Sequence, residues 1–138
     1  MKERTLVIFK PDSLEKKLLP ELLRRFQDAG ADIAALKMAK LEEPVLREHY
    51  AHIFGKPYYQ PLVDFMSRRS VVLCVLEAEN AVSKVRALIG PTNPENAEKG
   101  TIRGDFADSV RENIVHASDS LENAEIEIKR FFKPEEIF

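Results

Sequence analysis

The stretch Asn113-Ile114-Val115-His116-Ala117-Ser118-Asp119-Ser120 is where the fold reading turns. Ile114 and Val115 are β-branched and read as a strand end. Ser118, Asp119 and Ser120 read as a helix start, and Asp119 with Glu122 has capping-box spacing. His116 thus falls at a strand-to-helix junction. A strand over Asn113 to Ala117 would be the fourth of the chain, with a final helix from Ser120 to Phe132 behind it.

Working outward, a long irregular segment from about Gly90 to Asn113 precedes this strand. It holds three of the five glycines and two of the eight prolines. A loop of that length in a compact chain is usually functional or disordered, and the mix of Thr92, Asn93, Thr101, Arg103 and Asp105 favours function. Asp105 to Arg111 is expected to form a short helix inside it. Arg4 to Phe9 reads as a strand ended by Pro11. Leu18, Leu19, Leu22, Leu23 and Phe26 have helical spacing, with Pro20 in the first turn and Gly30 as the stop. Asp32 to Lys40 reads as a strand with Ala34, Leu36 and Met38 on one face. Glu42 to Phe54 reads as a helix burying Val45, Leu46, Tyr50, Ile53 and Phe54. Gly55-Lys56-Pro57 breaks it, and Tyr58 to Met66 reads as another short helix. Val71 to Leu76 is the most apolar segment and is expected as a central strand. Asn80 to Ile89 reads as a helix with Asn80 as N-cap.

The order is strand, helix, strand, helical pair, strand, helix, loop, strand, helix. This is the α+β plan of a ferredoxin-like βαββαβ fold. It implies an antiparallel four-stranded sheet with helices packed on one face, an inserted helical hairpin, and a long loop before the last strand. The length of 138 residues suits one domain over residues 1–138. A hydrophobic fraction of 44% and a net charge of -2 describe a globular chain without a global polyanion-binding surface. The single cysteine, Cys74, lies in an apolar run and reads as a small buried hydrophobe in a reducing compartment. No secretory h-region and no apolar run near 18 residues is present, so a cytoplasmic location is expected.

The motif search excludes several chemistries. There is no G-x-x-x-x-G-K-[ST], no G-x-G-x-x-G, no G-x-S-x-G and no Cys/His zinc cluster. Phosphate recognition would therefore rest on side chains. Lys10 follows the first strand, Arg86 precedes the long loop, Thr92 and Arg103 lie in it, and Asn113 closes it. Guanidinium and ammonium groups neutralise phosphate oxygens, and hydroxyl and amide groups add donors. Of the three histidines, His49 and His52 read as polar-face helix residues. His116 has the better setting. A neutral imidazole can carry a phosphoryl group if one nitrogen is free and the other is held. From the residues alone, a hydrogen-bonded structural histidine is the favoured reading of His116 over a catalytic one.

Several stretches together resemble the nucleoside diphosphate kinase family. They are NIVHASDS, Thr101 to Phe106 (TIRGDF), Phe9-Lys10-Pro11-Asp12, Glu48-His49-Tyr50 and Gly90-Pro91-Thr92-Asn93-Pro94. Order and spacing agree from about Thr5 to Glu136. The resemblance implies γ-phosphoryl transfer from a nucleoside triphosphate to a nucleoside diphosphate, by a ping-pong route through a phosphohistidine. It places the phosphate on His116 and matches Glu127 to the carboxylate supporting that histidine. Helical periodicity alone does not choose Glu127 over Glu122 or Glu125. Lys10, Tyr50, Arg86, Thr92, Arg103 and Asn113 match positions around phosphates and sugar, and Ser118 the serine beside the histidine. Tyr58 matches a base-stacking aromatic, with Leu62 and Val110 as apolar neighbours. Base selectivity should then be weak, because stacking reads only the π-face. Mg²⁺ is implied as travelling with the nucleotide phosphates, with no protein metal ligands. Nucleic acid and membranes are not implied as partners. Tetramers or hexamers built from dimers are. The chain departs from the family pattern at Ser13, Tyr58 and Arg68-Arg69-Ser70, and its short C-terminus looks bacterial-type. The alternative is a non-catalytic ferredoxin-like module for nucleotide or RNA binding, or for regulation. Its exposed sheet aromatics are missing here.

Overall fold

The structure, a computed structural model, describes residues 2–138. Its elements in chain order are β1 (Lys2–Phe9), α1 (Pro11–Glu15), α2 (Leu19–Asp28), β2 (Asp32–Ala39), α3 (Glu43–His49), α4 (Tyr59–Ser67), β3 (Val71–Glu79), α5 (Ala81–Ile89), α6 (Ile102–Phe106), β4 (Val115–Ala117) and α7 (Leu121–Phe131). Among the described residues the sheet has four strands in the order β2-β3-β1-β4, and every pairing is antiparallel. This is the expected ferredoxin-like architecture.

The helices cover both faces of the sheet, not one. Leu6 and Ile8 of β1 join a core with Leu46, Val63, Met66, Ile128 and Phe131. The alternate residues Val7 and Phe9 join a second core with Leu22, Phe26, Val85, Ile89 and Ile102. Because strand side chains alternate in direction, the two sets face opposite sides. Leu6 to Phe9 and Val71 to Leu76 are accordingly buried without interruption. An unbroken apolar strand is what a sheet covered on both faces requires.

Local departures have local causes. Pro11 ends β1 but also starts α1, where its missing N–H costs nothing. A bulge between Ile33 and Ala35 buries both Ala34 and Ala35, leaving Leu36 and Met38 exposed. The helix expected from Glu42 to Phe54 stops at His49 and continues as a 3₁₀ turn, Ala51–Ile53. Phe54 is exposed, with the Arg47 guanidinium 4.1 Å from its ring centre. Asn80 precedes α5 in the left-handed region, at φ 52°, and its side chain makes no capping bond. The helix within the loop is Ile102–Phe106, not 105–111, because Thr101 Oγ1 accepts the Gly104 N–H. Ser120, not Asp119, caps α7, with its Oγ accepting the Asn123 N–H.

Candidate active site

The β1–β4 ladder assembles the site. Ile8 lies opposite His116 and Phe9 opposite Val115. The next residue, Lys10, donates its backbone N–H to Ile114 O at 2.9 Å and its Nζ to Asn113 Oδ1 at 2.7 Å. Lys10 is 7% exposed. Burial first, then the Arg103 charge, lowers its pKa to about 8, against the opposing pull of Asp12.

His116 Nε2 stands 2.8 Å from Glu127 Oε1. Ser118 Oγ donates to the same oxygen at 2.8 Å. Burial pushes the Glu127 carboxyl up, but the hydrogen bonds from His116 and Ser118, together with the His116 charge, outweigh it and hold the group below its ordinary range. The carboxylate is thus ionised; in the neutral form of the ring, Nε2–H donates to it and Nδ1 keeps its lone pair. Ala124, Ile128 and Phe131 are the buried residues of α7. Glu127 lies three after Ala124 and four before Phe131, on that inward stripe, whereas Glu122 and Glu125 are exposed.

His49, read from sequence as a polar-face residue, is instead buried beside His116. Their ring centres are 4.7 Å apart in an edge-to-face arrangement. Burial, followed by the His116 charge, lowers its pKa to about 3, so it is neutral. Arg130 Nη1 lies 2.9 Å from His49 Nδ1. A guanidinium can only donate, so Nδ1 accepts and Nε2 carries the proton. His52 is exposed, as expected. Tyr50 packs its ring edge-on against His49 at 4.8 Å. Burial, aided by the Glu127 charge, raises its hydroxyl pKa, so the hydroxyl is protonated.

Arg103 ties the long loop to the sheet. Its guanidinium donates to Asn113 O, Gly90 O and Val115 O at 3.3, 3.1 and 2.7 Å. Burial and then the Arg86 charge lower its pKa to about 10, so it is cationic at neutral pH. Arg86 is exposed and reaches Ala117 O at 3.5 Å. Asn113 Nδ2 donates to Thr92 O at 3.1 Å, so Lys10, Thr92, Arg103 and Asn113 meet where β4 begins, while Arg86 reaches the strand's other end at Ala117 O. Gly104 makes this possible. A Cβ there would lie 1.9 Å from Glu98 O, so only glycine lets α6 close against the loop. Tyr58, Leu62 and Val110 lie outside this hydrogen-bonded network. Tyr58 and Val110 are exposed apolar groups, and Leu62 is half-buried against the core.

One nitrogen each from His49 and His116 and a Glu127 oxygen lie within 4.8 Å of one another. Sequence reading had found no such cluster, because the two histidines are far apart in the chain. The set does not suit Mg²⁺, which takes oxygen ligands in an octahedron. His49 also offers Nδ1 to Arg130 and holds its proton on Nε2, so the set does not fit a resident hard cation.

A held imidazole with one free nitrogen, beside buried and exposed cations, equips a site for phosphoryl transfer through histidine. The comparisons agree with this class. The family description "Nucleoside diphosphate kinase" matches residues 3–137. A nucleoside diphosphate kinase of Methanocaldococcus jannaschii is 50% identical over 138 residues, covering 100% of this chain and 99% of that protein. One of Parabacteroides distasonis is 52% identical over 136 residues, covering 99% and 89%. The crystal structure of the Aquifex aeolicus nucleoside diphosphate kinase superposes with a TM-score of 0.95 at 43% identity, covering 100% of both chains. The chain belongs to the nucleoside diphosphate kinase family, and it is a phosphotransferase of that class.

Proposed function

We propose that the chain transfers the γ-phosphoryl group of a nucleoside triphosphate to a nucleoside diphosphate through a phosphate carried on Nδ1 of His116. The observation that carries this reading is the 2.8 Å contact between His116 Nε2 and the ionised Glu127 carboxylate, which frees Nδ1 as the nucleophile. In the first half-reaction Nδ1 attacks the γ-phosphorus. A P–N bond forms, and the P–O bond to the β-phosphate breaks with its electron pair leaving on the diphosphate. The ring becomes cationic while keeping Nε2–H, and Glu127 stabilises that charge. The second half-reaction reverses these steps with a different diphosphate, so one site serves donor and acceptor.

Lys10 and Arg103 set fixed positive charge where charge spreads over phosphoryl oxygens, and Arg86 adds an exposed cation. Asn113 and Thr92 orient these groups, Ser118 holds Glu127, and the Tyr50 hydroxyl serves as a neutral donor. Base stacking is assigned to the exposed ring of Tyr58, with Leu62 and Val110 as the apolar neighbours that the family resemblance implies. Mg²⁺ would come with the nucleotide phosphates and would neutralise their charge there, beside Lys10 and Arg103. We also propose a cytoplasmic location, with Cys74 a free buried thiol as in a reducing compartment; among the described residues no helix is long and apolar enough to cross a membrane. We further propose one catalytic domain over residues 1–138, acting in a tetramer or hexamer built from dimers. Leu36 and Met38, exposed on β2 at the end of the strand order, support such pairing.

Incubation with γ-labelled ATP tests the reading. An acid-labile, base-stable label should appear on the protein and be chased by GDP or dTDP. It should be absent from His116→Ala. A wild-type protein that takes no label contradicts it.

A further inference from the structure

Three non-glycine residues among the described ones have positive φ: Lys17, Asn80 and Ile114. Asparagine tolerates that region, and Lys17 follows the end of α1. Ile114 is different, being β-branched, fully buried and at φ 80°. The Val115 N–H donates to Asn113 O at 2.9 Å across it, closing a three-residue γ-turn of the rare, strained kind. Strain of this sort persists only where the surroundings over-determine it.

Here two hydrogen bonds do so from one segment. The Lys10 N–H donates to Ile114 O at 2.9 Å. Asp12 Oδ2 accepts the Ile114 N–H at 3.0 Å. Asp12 is 2% exposed, and its Oδ1 is buried with no hydrogen-bond partner among the described residues. A buried carboxylate held this way is an expensive device for a mere surface turn. Its position explains the expense. Asn113, on one side of Ile114, holds Lys10 Nζ, and His116 follows two residues after Ile114. Relaxation of Ile114 to negative φ would rotate Asn113 away from Lys10 and tilt the short strand carrying His116.

We propose that Asp12 is a positioning residue whose carboxylate holds Ile114 in the strained turn and thereby fixes Asn113 and His116 relative to Lys10. It touches neither substrate nor reacting atoms, and it acts through the backbone of residues 113–115. The proposal rests on the reading of His116 as the phosphate carrier for its functional consequence, but not for the clamp itself.

The test is a strain-relief comparison. Ile114→Ala keeps a Cβ and hence the strain, while Ile114→Gly removes the strain and leaves nearly the same cavity. Asp12→Leu is introduced into wild type and into both backgrounds. The single-turnover rate of His116 phosphorylation at saturating ATP is measured, together with the half-saturating ATP concentration. Asp12→Leu should lower the rate at least 30-fold in wild type and in Ile114→Ala, but less than 5-fold in Ile114→Gly. Half-saturation should change less than the rate. Asp12→Asn, which keeps an acceptor oxygen, should stay within threefold of wild type. Equal losses in the alanine and glycine backgrounds would overturn the proposal. Hydrogen exchange of the Val115 amide reads the clamp without activity. Asp12→Leu should accelerate it in wild type and Ile114→Ala, and not in Ile114→Gly. If wild type takes no label, the phosphate-carrier reading fails while exchange still decides the clamp, and unchanged exchange in wild type overturns it.

Discussion

Lys10 should make the protein more stable as the solution becomes alkaline. Burial and the Arg103 charge lower its pKa from 10.5 to about 8. As pH rises, the folded protein therefore releases this proton near pH 8, while the unfolded chain keeps it to about 10.5. In that window the unfolded state binds more protons, so the residue's contribution to stability rises with pH. Integrated from pH 7 to pH 10 at about 1.4 kcal/mol per unit, the gain is about 2–3 kcal/mol. Lys10→Met removes the titrating group and keeps an apolar stem. Urea unfolding of wild type and Lys10→Met at both pH values gives the measurement. The difference in unfolding free energy between the two proteins cancels the other titrations. It should shift by about 2–3 kcal/mol in favour of wild type between pH 7 and 10. A difference that is the same at the two pH values would refute the buried, depressed lysine. On the proposed role of Lys10 the point is functional, since a lysine buried to meet phosphate destabilises the empty protein.

The same titration should appear in catalysis, with kcat/KM falling above about pH 8 as free enzyme loses the Lys10 charge, and with Lys10→Arg moving that fall to higher pH. Glu127→Gln leaves the ring of His116 a neutral partner; losing a charged hydrogen bond of about 1.5–3 kcal/mol should lower kcat roughly 10- to 150-fold with little change in KM, measured by steady-state kinetics. Gly104→Ala forces a Cβ onto Glu98 O and should cost about 1–3 kcal/mol in unfolding, with Arg103 displaced and activity reduced in step. Tyr58→Ala should raise KM roughly 5- to 150-fold for every base, since stacking contributes about 1–3 kcal/mol, and a loss confined to one base would contradict base stacking there.

Much of this site could be read before any coordinates, for physical reasons that differ by residue. Lys10, Thr92, Arg103 and Asn113 stood out together because polar and cationic residues gathered at strand ends and in one glycine-bearing loop. The coverage of both sheet faces was also present in the sequence. Leu6 to Phe9 and Val71 to Leu76 lack the alternation of a one-faced sheet, a signal that the expectation of one-sided helices overlooked. Glu127 could have been chosen from the Ala124, Ile128, Phe131 stripe, although the family resemblance supplied it first. His49 and Asp12 could not have been. Their roles depend on contacts with residues far along the chain, and a histidine on an amphipathic helix carries no local mark of facing another histidine. Ile114 is the sharpest case. Its β-branched side chain argues for extended backbone, and tertiary hydrogen bonds from Lys10 and to Asp12 impose the opposite.

The central claim is that His116 takes the phosphate on Nδ1 because Glu127 holds Nε2. Phosphorus–nitrogen coupling in the NMR spectrum of protein labelled with ¹⁵N-histidine and phosphorylated by ATP tests it most directly. The account predicts a single phosphohistidine bonded through Nδ1, absent in His116→Ala. A phosphate bonded through Nε2, or carried on His49, would contradict it.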